Sequence, residues 1–308
     1  MWPSIKQKLD ATGVEYQAYE TKAPGDATAQ TRASLKSGTQ SIIVVGGDGT
    51  LSEAAEGFFE FNENLDVLPA AINPSATLAI LPAGTGDDFA RGLYGRRVAL
   101  QEWIETTILH AHELMDVVRQ VDVLYGRCNG YEKPFICLNA STMGIGGETA
   151  GRVAAQGRFM RNFSGEFRFV CAAVGALAAW RERRVIVTVD GRTVADGPMN
   201  LVAVANALYA GGGMMLSPDA SIDDGKLDVI TASGLSRANV VTELSRVHTG
   251  GHVKNPKVTI RQGTIVRIDT LMLQDAMPLE ADGNVRGVTP VQFQVLPGAL
   301  RFVAADKR

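Results

Sequence analysis

The sequence has little of what a disulfide scaffold or a zinc site requires. Its three cysteines, Cys128, Cys137 and Cys171, are odd in number and widely spaced, and no C-x-x-C pair occurs. Small disulfide-rich domains and zinc ribbons both need closely spaced cysteine pairs, so neither class fits this chain. We therefore expect reduced, mainly structural thiols in a cytosolic protein.

The sequence also lacks a long hydrophobic run and an excess of positive charge. The strongest candidate for a membrane span covers residues 169–180, well short of the about twenty residues that a helix needs to cross a bilayer. No apolar segment follows the first residues, so we expect no signal peptide. A net charge of −3 argues against a general nucleic-acid binder. We expect a cytoplasmic protein whose membrane contact, at the inner face, is peripheral.

The order of strands and turns predicts two kinds of domain in the 308 residues. Helices and strands alternate in the first third, which predicts a doubly wound α/β domain over residues 1–113. Short strands separated by Asp-Gly turns dominate from residue 114 to about 298, which predicts an antiparallel β-sandwich. The predicted fold class is therefore α/β plus all-β.

Three local predictions accompany this fold. Residues 14–19 are expected to be extended. Only two helices are expected in the β-rich domain, over residues 166–181 and 237–247. The segment Gly144-Ile145-Gly146-Gly147 does not match the dinucleotide-binding pattern G-x-G-x-x-G, so we expect a loop there.

A glycine-rich turn follows the buried strand at residues 42–45. It reads Gly46-Gly47-Asp48-Gly49-Thr50, and a helix is predicted to begin directly after it. Bare backbone N–H groups and the positive end of a helix attract phosphate. Asp48 would repel phosphate, which indicates a metal ion or a hydroxyl nucleophile nearby. A tight strand-to-helix connection is the simpler interpretation, but three glycines in four positions exceed what it needs.

A second glycine turn follows the short buried strand at residues 78–81. It reads Gly84-Thr85-Gly86-Asp87-Asp88, and by itself it is typical of an aspartate that caps the next helix. Both turns stand at carboxyl ends of strands, where open α/β sheets bind their ligands. We therefore predict that the two turns flank one nucleotide and serve phosphoryl transfer.

These residues resemble the diacylglycerol kinase catalytic domain family, in particular bacterial lipid kinases related to diacylglycerol and sphingosine kinases. The segments GGDGTLSEAAEG and LPAGTGDDFARG are similar to the two hallmark segments of that family. The resemblance extends over nearly the whole chain. Further matching segments are AGGGM (210–214), SPDA (217–220), DDGKLD (223–228), GH (251–252), LEADG (279–283) and LPGAL (296–300).

The resemblance implies a lipid kinase that uses ATP and Mg²⁺ and phosphorylates a hydroxyl of diacylglycerol, a sphingoid base or a related lipid at the membrane surface. Asp282 would be the general base, and Asp48 would lie near the magnesium ion and the reacting hydroxyl. A structural Mg²⁺ would be held by Asp224 with carbonyls of Ser221 and Lys226. The last strand, about 299–308, would return to the first domain. The expected nucleotide-binding residues are Gly46, Gly47, Asp48, Gly49, Thr50, Glu53, Gly84, Thr85, Gly86 and Asp87.

The chain departs from the family pattern in three places. Asp87 stands where asparagine is usual, Asn284 stands where glutamate is usual, and no opening strand precedes Trp2. A start downstream of the natural one would explain the missing strand. Two alternatives stay open: a small-molecule kinase similar to NAD kinase, which shares the Gly-Gly-Asp-Gly-Thr turn, and an inactive lipid-binding relative.

Two features leave the mode of association open. A homodimer is neither indicated nor excluded by the sequence. A basic segment is either a solvated face or a contact for anionic lipid headgroups. Its members are Arg152, Arg158, Arg161, Arg168, Arg181, Arg183 and Arg184.

Overall fold

Helices and two large β-sheets make up the computed structural model, which describes residues 2–62, 64, 67–128, 133–157, 160, 163 and 165–305. The α-helices within these residues are α1 (Trp2–Ala11), α2 (Asp26–Lys36), α3 (Asp48–Gly57), α4 (Asp88–Tyr94), α5 (Leu100–Ala111), α6 (Ile145–Ala154), α7 (Gly165–Ala179) and α8 (Arg237–Val247). The strands are β1 (Ser41–Gly46), β2 (Phe59–Glu60), β3 (Ala70–Ala71), β4 (Thr77–Pro82), β5 (Val118–Cys128), β6 (Phe135–Cys137), β7 (Ala140–Gly144), β8 (Arg183–Val189), β9 (Arg192–Met199), β10 (Leu201–Ala205), β11 (Tyr209–Ala210), β12 (Met214–Met215), β13 (Leu227–Ala232), β14 (Val258–Gly263), β15 (Ile265–Thr270), β16 (Pro278–Ala281), β17 (Asn284–Val288) and β18 (Val291–Val303).

The larger sheet has eight strands and runs through both lobes of the molecule. Its order is β1-β4-β18-β15-β8-β9, with β5 paired to β18 and β6 paired to β5. β1 pairs in parallel with β4, as expected for an α/β unit. The first part of β18 pairs antiparallel with β15, whereas Arg301 and Phe302 near its end pair in parallel with β4. β18 therefore belongs to both lobes, and the domain bounds 1–113 and 114–298 stay a prediction.

A bend in the β5–β18 ribbon marks the junction of the lobes. The register of this pair shifts between Leu296 and Leu300, and Gly298 between them has a positive φ of 55°. Asp122 of β5 accepts hydrogen bonds from the backbone N–H groups of Gly298 (2.7 Å) and Gly225 (2.6 Å). One buried carboxylate thus fixes both the bend and the loop that carries Asp224.

The smaller sheet is antiparallel, with the order β14-β13-β10-β7-β16-β17. Side chains alternate between the two faces of each strand. In β10, Val202 and Val204 point into the core between the two sheets, while Ala203 and Ala205 point to the opposite face. The predicted combination of an α/β unit and a β-sandwich is confirmed.

Three helices cover the alanine-bearing face of the smaller sheet. α6, α7 and α8 meet there around Ile145, Trp180 and Val240, which form a small apolar cluster. The alanines of the sheet do not fill the space beneath these helices. A cavity therefore lies between the sheet and its helical cover.

Three local predictions are wrong. Residues 14–19 contain alternating apolar residues but form no strand in the described structure. The segment Gly144–Gly147, predicted as a loop, contains the N-cap Gly144 and the first residues of α6. The described part of the β-rich domain therefore has the three helices α6, α7 and α8, and not the expected two. The glycines at the start of α6 permit close packing, because a Cβ on Gly147 would lie 2.1 Å from the carbonyl oxygen of Pro278 and one on Gly146 would lie 2.2 Å from the hydroxyl of Thr142.

Candidate active site

The two glycine turns touch each other. A Cβ added to Gly84 would lie 2.6 Å from the Cα of Gly47, closer than real side chains come. A Cβ on Gly86 would lie 3.2 Å from both the Asp48 carboxylate and the Cα of Gly212. The close approach of the two backbones requires glycine at position 84, and a side chain at position 86 would crowd Asp48 and Gly212. Together the turns form one continuous backbone surface at the carboxyl ends of β1 and β4.

Asp48 fixes the start of the helix that follows the other turn. Its two carboxylate oxygens accept the backbone N–H groups of Asp88 and Phe89, each at 3.0 Å. The N-terminus of α4 is therefore already capped by a negative charge. By contrast, α3 is preceded by Gly47, which has no side chain that could cap it. The first turn of α3 is thus the better place for a phosphate group.

Asp88 connects the first lobe to a glycine loop of the second. Its carboxylate accepts the N–H groups of Gly212 (2.7 Å) and Gly213 (2.6 Å), both at positive φ. Burial, with a smaller effect from the neighbouring Asp48 charge, raises the pKa of Asp88 to about 6. Our site prediction did not include Asp88. Two features of the sequence could have indicated Asp88: the pair Asp87-Asp88 after the turn and the glycine triplet at 211–213.

Asp282 occupies the tip of the β16–β17 hairpin in a left-handed conformation, with φ 46°. Its carboxylate accepts the N–H groups of Leu138 (2.8 Å) and Asn139 (3.0 Å) and the thiol of Cys137 (3.2 Å). Burial raises the pKa of Asp282, although these bonds and the adjacent Ser52 hydroxyl oppose the effect. Because Ser52 belongs to α3, the hairpin tip lies against the helix that follows the first glycine turn.

Glu280 is a second acidic group of this hairpin, and it was missed as a site residue. It accepts hydrogen bonds from the N–H of Thr142 (3.1 Å) and the N–H of Gly283 (2.8 Å). Burial raises the pKa of Glu280 to about 7, because it outweighs the opposing effect of the hydrogen-bond donors. The available signal was its place two residues before Asp282 in the segment LEADG (279–283).

A cavity of about 470 Å³ brings these groups together. Asp48 and Asp282 line the same cavity, although 234 residues of sequence, 282 minus 48, separate them. Its polar end is lined by Asp48, Gly49, Thr85, Gly86, Asp88, Glu280 and Asp282. Its other walls are mainly apolar, with Ile145, Phe169, Leu201, Ile230, Leu244 and Val247 among them.

Several other residues that are predicted to bind the nucleotide lie in or near the two turns but do not line this cavity. The Glu53 carboxylate accepts the N–H of Gly25 at the start of α2, at 2.9 Å. Asp87 has a left-handed backbone and accepts the N–H of Gly84 at 3.2 Å. Burial and the nearby Asp48 charge raise the pKa of Asp87. Gly46 packs against Thr50, since a Cβ there would lie 3.1 Å from the Thr50 Cβ. Their nucleotide contacts stay predictions.

The predicted structural magnesium loop lies at the lobe junction, away from the cavity. Asp224 is exposed, and one of its oxygens accepts the N–H of Lys226 at 3.0 Å. Ser221 donates its hydroxyl proton to Asp223. The charges of Asp223 and Asp224 raise the pKa of the nearby Asp122, after the larger effect of burial. A cation would relieve this repulsion, and oxygen donors suit Mg²⁺, so the residues fit the ion.

The residues that the structure describes contain no metal site with a denser set of ligands. Among the described residues, no group of three or more His, Cys, Asp and Glu side chains is arranged to hold a metal ion. A magnesium ion at this protein would therefore depend on backbone carbonyls, water or a bound phosphate for most of its ligands.

Much of the basic segment is engaged within the protein. Arg152 forms an ion pair with Glu148 at 3.1 Å, and Arg168 donates to Gln156 at 2.9 Å. Arg181 and Arg183 donate to the carbonyls of Gln274 and Ala276, which ties the end of α7 to a neighbouring loop. Arg184 is exposed. Arg158 and Arg161 lie outside the described residues.

α7 separates the cavity from the outside. Phe169 and Ala173 line the cavity, whereas Val170 and Val174 are 56% and 63% exposed on another side of the helix. Leu273, in the loop held by Arg181, is 98% exposed. Across the part of the chain that the structure describes, no helix combines the length and the apolar character needed to span a bilayer.

Two family models match successive parts of the chain. Residues 1–120 match the diacylglycerol kinase catalytic domain. Residues 143–304 match the YegS C-terminal NAD kinase beta sandwich-like domain, a segment that spans more than half of the chain. The two matches correspond to the α/β unit and to the sandwich with its helical cover.

Individual proteins are similar over most of their length. A diacylglycerol kinase of Staphylococcus carnosus (strain TM300) is 28% identical over 293 residues, which cover 95% of this chain and 86% of that protein. A diacylglycerol kinase of Mycobacterium tuberculosis (strain ATCC 25618 / H37Rv) is 27% identical over 280 residues, with coverages of 88% and 79%. A crystal structure of a diacylglycerol kinase from Bacillus anthracis str. Sterne superimposes with a TM-score of 0.66 at 24% identity, covering 98% and 91% of the two chains, and so shows the same fold.

Proposed function

This chain belongs to the bacterial diacylglycerol kinase-like lipid kinases, and we propose that it transfers the γ-phosphoryl group of ATP to a hydroxyl of diacylglycerol. The observation that carries the proposal is the single cavity that joins three aspartates, Asp48, Asp88 and Asp282, to an apolar interior. The polar end suits a phosphate-bearing reactant, and the apolar walls suit hydrocarbon chains.

Asp282 is the group that we assign to proton transfer. The attacking lipid hydroxyl loses its proton to the Asp282 carboxylate as its oxygen bonds to the γ-phosphorus. The bond between the γ-phosphorus and the bridging oxygen breaks in the same step, and ADP leaves with that electron pair. Burial raises the pKa of Asp282, which makes its carboxylate a stronger base than an exposed aspartate. Its bonds to the N–H groups of Leu138 and Asn139 hold the carboxylate in place.

The glycine turns hold the phosphates in this proposal. The uncapped first turn of α3, with Gly49 and Thr50, presents N–H groups and the positive helix end. Gly47 and Gly84 keep this surface free of side chains. Asp48 stands in the same turn and would share a magnesium ion with the phosphates. When bound, Mg²⁺ would neutralise the charge that develops on the transferred group.

The exposed side of α7 is proposed as the face that meets the membrane. Val170, Val174 and Leu273 are exposed and apolar, and Arg184 supplies a nearby positive charge for anionic headgroups. Because the opposite side of α7 lines the cavity, a lipid that leaves the bilayer here has a short path to the site. Cosedimentation with anionic vesicles tests this: Leu273→Asp should bind less than Val241→Asp, which changes an exposed valine of α8. Equal binding of the two variants would contradict the docking face.

The decisive experiment is transfer of label from [γ-³²P]ATP to a lipid. Purified protein is incubated with ATP, Mg²⁺ and separate vesicles that contain diacylglycerol or a sphingoid base. We expect labelled phosphatidic acid. Absence of labelled product from every lipid, with ATP still bound, would instead favour the inactive relative that Asn284 suggests.

A further inference from the structure

Two polar side chains in the apolar part of the cavity have no part in the transfer chemistry. They are Glu243 of α8 and His252 of the 3₁₀ turn Gly251–Lys254. Both line the cavity and both are more than nine-tenths buried, with 8% and 5% of their surface exposed. Buried polar atoms cost free energy unless they are hydrogen-bonded. The atoms of these two side chains that lack a hydrogen-bond partner therefore indicate what kind of ligand they could bind.

Each side chain has one partnered atom and one unpartnered atom. Oε1 of Glu243 accepts from Arg246 (3.1 Å) and Asn255 (2.8 Å), and Nε2 of His252 donates to the carbonyl of Leu216 (3.0 Å). Oε2 of Glu243 and Nδ1 of His252 are buried and have no hydrogen-bond partner among the residues that the structure describes. The paired atoms fix the two side chains, and the hydrogen-bonding capacity of the other two buried atoms is not used by the described residues.

The hydrogen bonds define what the unpartnered atoms can bind. Since Nε2 of His252 carries the proton that it donates to a carbonyl, Nδ1 of the neutral ring is an acceptor. Burial lowers the pKa of His252, which favours this neutral ring. Oε2 of Glu243 is likewise an acceptor. Two acceptors in an apolar wall call for a ligand that donates hydrogen bonds.

The pair lies across the sheet from the transfer site. Asp282 follows β16, the turn with His252 leads into β14, and β7, β10 and β13 lie between these strands. With about 4.8 Å between neighbours, β16 and β14 are roughly 19 Å apart. A group bound by Glu243 and His252 therefore belongs to the body of the lipid rather than to the hydroxyl that is phosphorylated.

We propose that Glu243 and His252 form a polar subsite that binds a hydroxyl group on the hydrocarbon chain of the lipid substrate. The inference rests on the proposed kinase function, which makes the ligand a lipid. A plain chain leaves both acceptors without a partner, whereas a chain hydroxyl donates to one of them. The enzyme then discriminates between lipids by a group far from the reacting hydroxyl.

Matched diacylglycerols test this subsite. Pairs are prepared in which one acyl chain carries a hydroxyl at successive positions and the control chain is otherwise identical. The wild-type protein should phosphorylate one hydroxylated series member with kcat/KM about tenfold above its plain control, the gain expected from one buried hydrogen bond. Equal kcat/KM for all pairs would overturn the subsite, because a water molecule would then serve the two acceptors as well.

Substitution of the carboxylate sharpens the test. In Glu243→Gln the amide oxygen must face Arg246 and Asn255, so an NH₂ donor replaces the free acceptor. We expect the ratio of kcat/KM for the hydroxylated lipid to that for its plain control to fall from about ten to about one in this variant. Glu182→Gln, an exposed change outside the cavity, should keep the preference. A preference that survives in Glu243→Gln would contradict the assignment.

A binding measurement separates this inference from the kinase proposal. The same lipid pairs are added without ATP, and the rise in Tm of the protein is measured. If no lipid is phosphorylated but the hydroxylated lipid raises the Tm more than its control, the kinase proposal fails and the subsite stands. If transfer occurs with no difference in either readout, the subsite alone is wrong.

Discussion

The two ends of the cavity differ in how their charged groups are held. At the polar end, Asp48, Asp88, Asp282 and Glu280 each accept two backbone N–H groups. In the apolar part, Glu243 is held by side chains and keeps one oxygen without a partner among the described residues.

This difference separates catalysis from selection. Backbone donors belong to elements whose positions are fixed by the sheets, so a carboxylate held by them is preorganised before any reactant binds. A buried acceptor without a partner costs free energy, and a ligand that donates a hydrogen bond removes that cost. The carboxylates of the polar end are therefore held in one arrangement for the reaction, and the apolar part is able to distinguish one lipid from another.

The largest effect is expected from Asp282→Asn at the polar end. The amide cannot take the proton of the lipid hydroxyl, so kcat should fall by about 10³-fold, within the range for removal of a general base. Nucleotide affinity, measured by titration calorimetry, should change little. Asp196→Asn, on the exposed surface of β9, is the matched control and should retain full activity. Unchanged kcat in Asp282→Asn would remove this residue from the mechanism.

Glu280 allows the polar end to be tested through stability. Its pKa is about 7 in the folded protein and 4.5 in its ordinary environment. The folded state therefore holds the proton more tightly, and this contribution to stability is complete below pH 4.5 and is lost as the pH rises to about 7. Glu280→Gln cannot ionise. The free energy of unfolding of the wild type should decline relative to this variant by about 3 kcal/mol over this range.

Urea unfolding at successive pH values between 4 and 8 measures the difference. Glu102→Gln, an exposed change in α5, should reproduce the pH profile of the wild type. Parallel profiles for the wild type and Glu280→Gln would mean that Glu280 is not held in an environment that favours its proton.

The sequence predicts the parts of the site that depend on local pattern. The strand, glycine turn and helix around Gly46–Thr50 follow from a β-forming run, three glycines and a helix-forming segment. Contacts between turns depend instead on the register of β1 against β4 and could not be derived from either segment. The contact of Gly47 with Gly84 and the capping of α4 by Asp48 are of this kind.

The incorrect predictions have a common cause. Residues 14–19 alternate like a strand, but a strand also needs a neighbour to pair with, and pairing is not a local property. Gly146 and Gly147 lower local helix propensity, yet they lie in α6 because the helix packs tightly on Thr142 and Pro278. In β10, the valines fill the core on one face of the sheet, whereas the alanines leave space on the other face. This alternation was the sequence signal for the cavity.

The apolar part of the cavity should set the tolerated chain length. Ala173→Phe places a ring in the cavity from α7, and crowding of this kind costs about 1–3 kcal/mol. For long-chain diacylglycerol kcat/KM should fall about tenfold, since 1.4 kcal/mol corresponds to that factor. A short-chain analogue should be spared. Ala178→Phe makes the same change on the exposed side of α7 and should have no chain-length effect. Equal loss for both lipids in Ala173→Phe would argue against a chain-binding cavity.

The smallest effect is expected at the Asp224 loop, which belongs to neither end of the cavity. Mg²⁺ there would offset the repulsion that Asp223 and Asp224 exert on Asp122, which holds the bend between the lobes. In the absence of ATP, Mg²⁺ should raise the Tm of the wild type by about 2 °C, as for roughly 1 kcal/mol in a chain of this size. Asp224→Asn should lose this rise and keep its kcat, whereas Asp196→Asn should keep both. A loss of kcat in Asp224→Asn would show that the junction, and not only the cavity, controls the geometry of transfer.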